Sequence, residues 1–226
     1  MLGYELIYMG LLMVGLLLIL WLSEYLYNKR QIPTEYTRKI AHILGSLSSL
    51  IFIYIFDSYW YVIGIGIFFF LLLFFGKRRK AINSIDAVER KTSGSFLLPI
   101  AIGGLFVAAK VEGNNLLYVL PVLILGISDP LAGIIGTYFH KKTNNIQLWG
   151  KPLQKTYLGS MAFFSSAALL SMWALSLYGL FFAQAAADAI IIATISTFVE
   201  MISTNGFDNI LVPFAVFFTI LFLQFL

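Results

Sequence analysis

YWYVIGIGIFFFLLLFFG, residues 59–76, contains no charged side chain and is followed directly by four cations, Lys77, Arg78, Arg79 and Lys80. An uncharged run of this length matches the roughly 17–25 residues that an α-helix needs to cross a bilayer. Lys and Arg next to a span are typical of loops on the cytoplasmic side. This stretch therefore predicts a transmembrane helix that ends in the cytoplasm.

The composition extends this prediction to the whole chain. Of its 226 residues, 60% are hydrophobic and 12% are charged, which is too apolar a balance for a surface in water. No stretch rich in Pro, Ser or charge is long enough for a linker, so residues 1–226 are predicted to form a single integral membrane domain. We expect an all-α polytopic bundle of about eight transmembrane helices, near residues 4–22, 40–56, 59–76, 94–109, 115–138, 157–178, 181–202 and 209–226.

Positive charge is unequally distributed between the connections. Lys and Arg fall within 29–39, 77–91 and 141–155, whereas the alternate connections hold only Lys110. The positive-inside rule then places the basic connections in the cytoplasm and both termini on the other side. The net charge of +4 reflects this topology, so no nucleic-acid partner is expected. The absence of cysteine excludes disulfides, thiolate catalysis and Cys-ligated metal.

Three predicted helices start at the cytoplasmic side with cations and hydroxyls. A helix start offers unpaired N–H groups and the positive end of its dipole, which together attract phosphate. Topology alone would explain Lys77 to Lys80, but for Arg90, Lys91 and Lys155 we favour a phosphate-binding role. The three starts are Thr37, Arg38 and Lys39; Arg90, Lys91, Thr92 and Ser93; and Lys155 and Thr156.

Asp129 lies inside the fifth predicted span, where a carboxylate is costly and is a functional candidate by default. Pro130 removes a backbone N–H beside it, so we expect the helix to kink or break there. Ala132, Gly133 and Gly136 share its face and would leave volume for a ligand. Alternatively, these small residues let two helices pack closely, and Asp129 pairs with a loop lysine.

Other candidates flank this acid. His42 shares a helical face with Arg38 and Lys39 and is either a general base or a structural hydrogen-bonding group. Glu200 and Asp208 form an acidic corner suited to a magnesium–polyphosphate complex, because magnesium takes few carboxylates and leaves its other positions to phosphate and water. The chain has no GxxxxGK[ST], GxGxxG, HExxH or GxSxG motif, so any nucleotide site must be built from membrane helices.

Five segments together resemble the CTP-dependent lipid-alcohol kinases, which include dolichol kinase, phytol kinase and the yeast-type diacylglycerol kinase and are distantly related to CDP-diacylglycerol synthase. They are RKIAHILGS (38–46), ERKTSGSFLLPI (89–100), SDPLAGIIG (128–136), KTYLGSMAFF (155–164), and VE (199–200) with FDNILVPFA (207–215). The resemblance implies magnesium-dependent transfer of the terminal phosphate of CTP to a membrane alcohol.

The resemblance also implies site residues. The catalytic candidates are His42, Asp129, Lys155 and Glu200, and the metal candidates are Asp129, Glu200 and Asp208. The nucleotide- and phosphate-binding candidates are Arg38, Lys39, Arg90, Lys91, Lys155, Thr156, Gly159 and Ser160. The chain departs from phytol-kinase-like sequences at Gly133, where a second Asp is frequent, so the metal site would recruit Glu200 or Asp208 instead.

The leading hypothesis is a multi-pass membrane kinase that phosphorylates a long-chain isoprenoid alcohol, such as a polyprenol, at the cytoplasmic face. Either His42 or an acid near Glu200 would take the alcohol proton. The alternatives are a diacylglycerol kinase, a phosphatidate cytidylyltransferase and a small transporter with Asp129 as its ion site. The sequence lacks the DRxD signature of the cytidylyltransferases. Chain length of the acceptor and oligomeric state stay open.

Overall fold

The computed structural model describes residues 2–87, 92–139, 145–148 and 151–224. The described residues are predominantly helical, which confirms the predicted all-α class. The helices are α1 (Leu2–Arg30), α2 (Thr34–Ser49), α3 (Phe52–Ile55), α4 (Tyr59–Arg78), α5 (Asn83–Asp86), α6 (Gly94–Glu112), α7 (Leu116–Leu123), a π-helical turn (Ile124–Ser128), α8 (Asp129–Tyr138), α9 (Tyr157–Leu177), α10 (Phe182–Ile202) and α11 (Asp208–Gln224).

Seven helical segments are long and apolar enough to cross a membrane by length and composition. They match the first seven predicted spans, and the eighth prediction corresponds to α11, which has 17 residues in the described part of the chain. The seven segments are Gly3–Arg30, Thr34–Ile55, Tyr59–Arg78, Gly94–Glu112, Leu116–Tyr138, Tyr157–Leu177 and Phe182–Ile202.

The start of α2 differs from the prediction. Pro33 stands at the N-cap, and the helix begins at Thr34 rather than near residue 40. The fixed φ of proline and its missing N–H make it a natural helix boundary. Arg38 and Lys39 therefore lie past the first turn. Their predicted place beside the unpaired N–H groups of a helix start is wrong.

The centre of the bundle is the segment from α7 through the π-helical turn to α8. Of its most apolar window, 56% is buried, against 6% for α1 at the periphery. Tyr118 is fully buried, and its hydroxyl donates to the carbonyl of Ser49 at 2.8 Å. Because a buried hydroxyl needs a partner, this bond fixes α2 against the central segment.

A β-hairpin precedes α9. Strand β1 (Asn145–Leu148) pairs antiparallel with β2 (Lys151–Thr156), with Asn145 opposite Thr156. The sequence indicated only a basic connection here. Thr156 ends β2 and caps α9, because its Oγ1 accepts the Gly159 N–H at 3.2 Å. The hairpin therefore delivers Lys155 to the very start of a membrane helix.

Candidate active site

A cavity of about 390 Å³ lies at one end of the bundle. Its walls come from α2, the start of α6, α8, the end of β2 with the start of α9, the end of α10 and the start of α11, together with apolar side chains of α1, α4 and α5. The predicted site residues on its wall are Arg38, Lys39, His42, Asp129, Lys155, Thr156, Gly159, Ser160, Glu200 and Asp208. Arg90 and Lys91 lie outside the described residues, so their predicted roles stay predictions.

Lys155 binds both acids of the predicted acidic corner. Its Nζ lies 2.6 Å from Glu200 Oε1 and 3.0 Å from Asp208 Oδ2. Burial alone would lower the pKa of Lys155, but the charges of Asp208, Glu200 and Asp129 outweigh it and raise that pKa above its usual value. The ammonium is therefore permanently charged at neutral pH and holds α9, α10 and α11 together at the cavity.

Glu200 is almost completely buried at the end of α10. Besides Lys155, it accepts the hydroxyl of Ser160 from α9 at 3.4 Å. A buried carboxylate needs such partners because its desolvation is otherwise very costly. In this structure Ser160 therefore serves to hold Glu200.

The helix containing Asp129 widens instead of breaking. The Asp129 N–H donates to the carbonyl of Ile124, five residues back, which defines the π-helical turn. The N–H that could have followed it belongs to residue 130, and Pro130 has none. The carbonyl of Leu125 is therefore left without a donor in its own helix. Of the predicted kink or break, the break does not occur, and the perturbation at this point takes the form of a π-helical turn.

His42 supplies the missing donor. Its Nε2 lies 2.9 Å from the Leu125 carbonyl oxygen. A carbonyl oxygen can only accept, so Nε2 carries the proton and, in the neutral ring, Nδ1 is the acceptor. The hydrogen bond thus sets the tautomer of a histidine on the cavity wall. Such a ring is both a structural group and a group able to take a proton.

The small residues near Asp129 have different surroundings. A Cβ at Gly133 would collide with Lys39 Nζ, whereas one at Gly136 would lie 2.9 Å from Thr156 Oγ1. A Cβ on Gly159 would in turn lie 2.9 Å from the Ala132 carbonyl. Ala132, Gly133 and Gly136 all line the cavity, and at Ala132 and Gly136 their small size also allows α8 to pack closely against α9. The space beside Gly133 is occupied by the ammonium group of Lys39.

Two cations of α2 face the cavity. Lys39 Nζ donates to the Pro130 carbonyl at 3.4 Å, and Arg38 pairs with Glu35 at 3.5 Å. The Arg38 Nε–H is buried and has no hydrogen-bond partner among the described residues. A buried donor without a partner costs free energy unless a ligand or water satisfies it. Arg38 is therefore available to an anion in the cavity.

The loop between α10 and α11 also lines the cavity, which the sequence reading missed. Asn205 and Gly206 adopt positive φ of 57° and 85°, and the Asn205 carbonyl accepts the Ser93 N–H at 2.8 Å. Asn209 Nδ2 donates to the Gly94 carbonyl at 2.7 Å. These bonds join the start of α11 to the start of α6. The sequence signal for this loop was the Asn205–Gly206 pair, since Asn and Gly favour left-handed turns.

Within the described residues, no group of three His, Asp or Glu side chains is placed to hold a metal ion by itself. Magnesium is commonly bound by one or two carboxylates together with substrate phosphates, so a smaller donor set is compatible with it. Glu200 and Asp208 are engaged by Lys155, whereas Asp129 accepts no hydrogen bond within the described part of the chain. Asp129 is therefore the carboxylate best placed for a metal–phosphate complex.

Comparison of the chain with known proteins found no matching family model, no matching curated protein and no matching solved structure. The resemblance to the lipid-alcohol kinases therefore stays a prediction.

Proposed function

We propose that this protein is a membrane-embedded kinase that transfers the terminal phosphate of CTP to the hydroxyl of a long-chain isoprenoid alcohol. One observation carries the proposal: a single cavity in an apolar bundle contains cations from two elements, an intramembrane acid and a histidine of defined tautomer. Phosphoryl transfer depends mainly on positioning and on neutralising charge, which this combination supplies. The choice of CTP and of an isoprenoid acceptor rests on the sequence resemblance.

Each of these residues has its own role in the proposed phosphoryl transfer. Arg38, Lys39 and Lys155 neutralise the phosphates, and Asp129 would hold magnesium, which would supply further positive charge to the transferring phosphate. His42 Nδ1 takes the proton of the acceptor hydroxyl. The alcohol oxygen then bonds to the γ-phosphorus as the bond from that phosphorus to the β,γ-bridging oxygen breaks. CDP leaves, and the proton stays on His42 until solvent removes it.

Labelled CTP tests the reaction. Purified protein is incubated with magnesium, a polyprenol and CTP labelled at either the γ- or the α-phosphate. We expect γ-label on the polyprenol and no α-label on any lipid. Asp129→Asn is the matched control, because it keeps the shape of the side chain but removes its charge, and it should purify normally without transferring label. Turnover at the wild-type rate in this variant would contradict the metal role.

A phosphatidate cytidylyltransferase is the second candidate. Arg38 and Lys39 on α2 are separate from Lys155 on β2, and two groups of cations favour two anions, a triphosphate and a phosphatidate headgroup. That enzyme would attach CMP to the lipid and release pyrophosphate. Entry of α-label into lipid with phosphatidate as acceptor would therefore establish this reaction and reject the kinase.

A further inference from the structure

A second, apolar groove lies beside the polar cavity. Helices α1, α2, α4 and α6 form it, and its lining is hydrocarbon apart from Ser49, whose hydroxyl donates to the Ser46 carbonyl at 2.7 Å. The groove is partly open to the molecular surface, which in a membrane protein faces lipid tails. A ligand in this groove would therefore be a hydrocarbon chain.

The groove and the polar cavity share a wall. Four apolar side chains, Leu20, Ala41, Leu73 and Leu98, line both. Ala41 precedes His42, whose ring lines the polar side. A molecule lying across this wall would have its hydrocarbon part in the groove and its polar end beside the histidine and Asp129.

The groove contains space that ordinary packing would fill. Gly103 of α6 is buried, yet a Cβ built on it meets no atom within 4 Å. A Cβ built on Gly45 of α2, which is half-buried, also meets no atom within 4 Å. Protein interiors are close-packed, and helices favour larger residues over glycine, so buried glycines facing empty space are unusual. The free volume of the groove is about 80 Å³, roughly half that of a 150 Å³ apolar cavity that holds one benzene molecule.

We propose that this groove binds the hydrocarbon segment next to the hydroxyl of the acceptor, and that it admits one chain and not two. The inference rests on the proposed kinase function and names its acceptor as a single-chain alcohol. The shared wall directs the hydroxyl into the polar cavity, whereas the remainder of the chain extends between lipids. Diacylglycerol branches into two acyl chains close to its hydroxyl, and the groove has room for only one.

Replacing glycines that line the groove with larger residues tests the proposal. Gly103→Leu and Gly45→Val each place side-chain atoms in the open space of the groove without displacing backbone. We expect each variant to reduce kcat/KM for a long-chain polyprenol at least tenfold. A one-isoprene alcohol requires little of the groove, and its kcat/KM should change less than twofold. Gly10→Val is the matched control, because Gly10 is exposed on α1 with no atom within 4 Å of its Cβ position and should leave both values unchanged.

Other outcomes contradict the inference. Equal losses on the short and long alcohols, or no loss on either, would show that the groove does not hold the chain. Faster phosphorylation of diacylglycerol than of polyprenol by the wild type would reject the single-chain acceptor.

If the wild type transfers phosphate to no alcohol, the kinase proposal is what fails. Native mass spectrometry then tests separately whether polyprenol binds in the groove. Polyprenol should stay bound to the wild type and to Gly10→Val. If Gly103→Leu also retained polyprenol, binding in the groove would be rejected.

Discussion

At the scale of single residues, Lys155 on the cavity wall lies 2.6 Å from Glu200 and 3.0 Å from Asp208. Its ammonium lies between two carboxylates and reduces their mutual repulsion, which would otherwise be strong in a buried place. Removing one partner of such a group is far more damaging than removing the whole group, because it leaves charges buried without compensation. Lys155 is therefore a stabilising residue, in addition to its proposed role as a cation for phosphate.

We expect Lys155→Met to lower the stability by about 3 kcal/mol, or the Tm by roughly 8 °C, and to abolish activity. Adding Glu200→Gln should recover much of the Tm but none of the activity. Thermal unfolding in detergent, followed by tryptophan fluorescence, measures the Tm. Lys110→Met, which removes a cation far from the cavity along the chain, is the control. An unchanged Tm in Lys155→Met would refute the role of the ion cluster.

The same variant makes a pH prediction. The folded-state pKa of Lys155 lies above its unfolded value. Its stabilisation is therefore complete below the unfolded pKa of about 10.4 and is lost only as pH rises through the folded value. The Tm difference between wild type and Lys155→Met should not shrink from about pH 6 to pH 9. A difference that shrinks across this range would mean that the ammonium titrates near neutrality.

His42 donates to the Leu125 carbonyl and is proposed as the general base, and a pair of variants distinguishes these two roles. His42→Gln keeps an N–H donor for the Leu125 carbonyl but supplies no base, so the Tm should stay near that of the wild type while kcat falls about 100-fold. His42→Ala also removes the donor and should cost about 1 kcal/mol in addition. Unfolding curves and initial rates distinguish the two effects. Wild-type kcat in His42→Gln would assign the base to another residue.

At the scale of secondary structure, the π-helical turn is what brings His42 and Asp129 into one arrangement. The turn frees the Leu125 carbonyl, and Pro130 ensures that no N–H of the same helix replaces His42 as its donor. Local widening of a helix is destabilising by itself and is frequent at functional sites. The turn and the proline together therefore keep the Leu125 carbonyl available to His42, and we treat them as one unit.

Pro130→Ala should disturb this unit by restoring an N–H that competes for the carbonyl. We expect kcat to fall at least tenfold while the Tm changes little, because a regular helix becomes more favourable as the histidine loses its acceptor. Pro121→Ala, which changes another buried proline in the same span, should leave kcat unchanged. Equal effects of both variants would show that the position of the proline is unimportant.

The sequence predicted these elements unequally well. Uncharged runs such as residues 59–76 define a membrane helix locally, so most helix boundaries agreed with the structure. The hairpin at Asn145–Thr156 is short and contains Pro152, which is a weak strand signal. The hydrogen bond of His42 joins residues 83 apart, and that of Lys155 with Asp208 joins residues 53 apart. Which partners meet was therefore decided by packing that no local pattern encodes.

At the scale of the whole molecule, every described site residue lies at one end of the bundle. The basic cluster that ends α4 belongs to the same end, because α4 and the central segment both run toward it. The positive-inside rule assigns this end to the cytoplasm. That orientation is required if cytoplasmic CTP is the donor.

Single-cysteine labelling tests the orientation, and the chain offers a clean background because it has no cysteine. Arg79→Cys and Asn115→Cys place thiols at exposed positions on opposite ends of the bundle. A membrane-impermeant maleimide should label Asn115→Cys in intact cells and Arg79→Cys only after the membrane is opened. The reverse pattern would invert the topology and separate the site from cytoplasmic nucleotide.

The hydrogen bonds that join the start of α6 to the start of α11 have a consequence for biosynthesis. The ribosome makes Gly94 and Lys155 well before Asp208 and Asn209, yet the cavity wall is incomplete without the later pair. Earlier helices can insert one after another, but the nascent protein stays without a finished site until the segment after residue 207 has been translated and has packed. A chain interrupted before that point would remain in the bilayer as an inert intermediate.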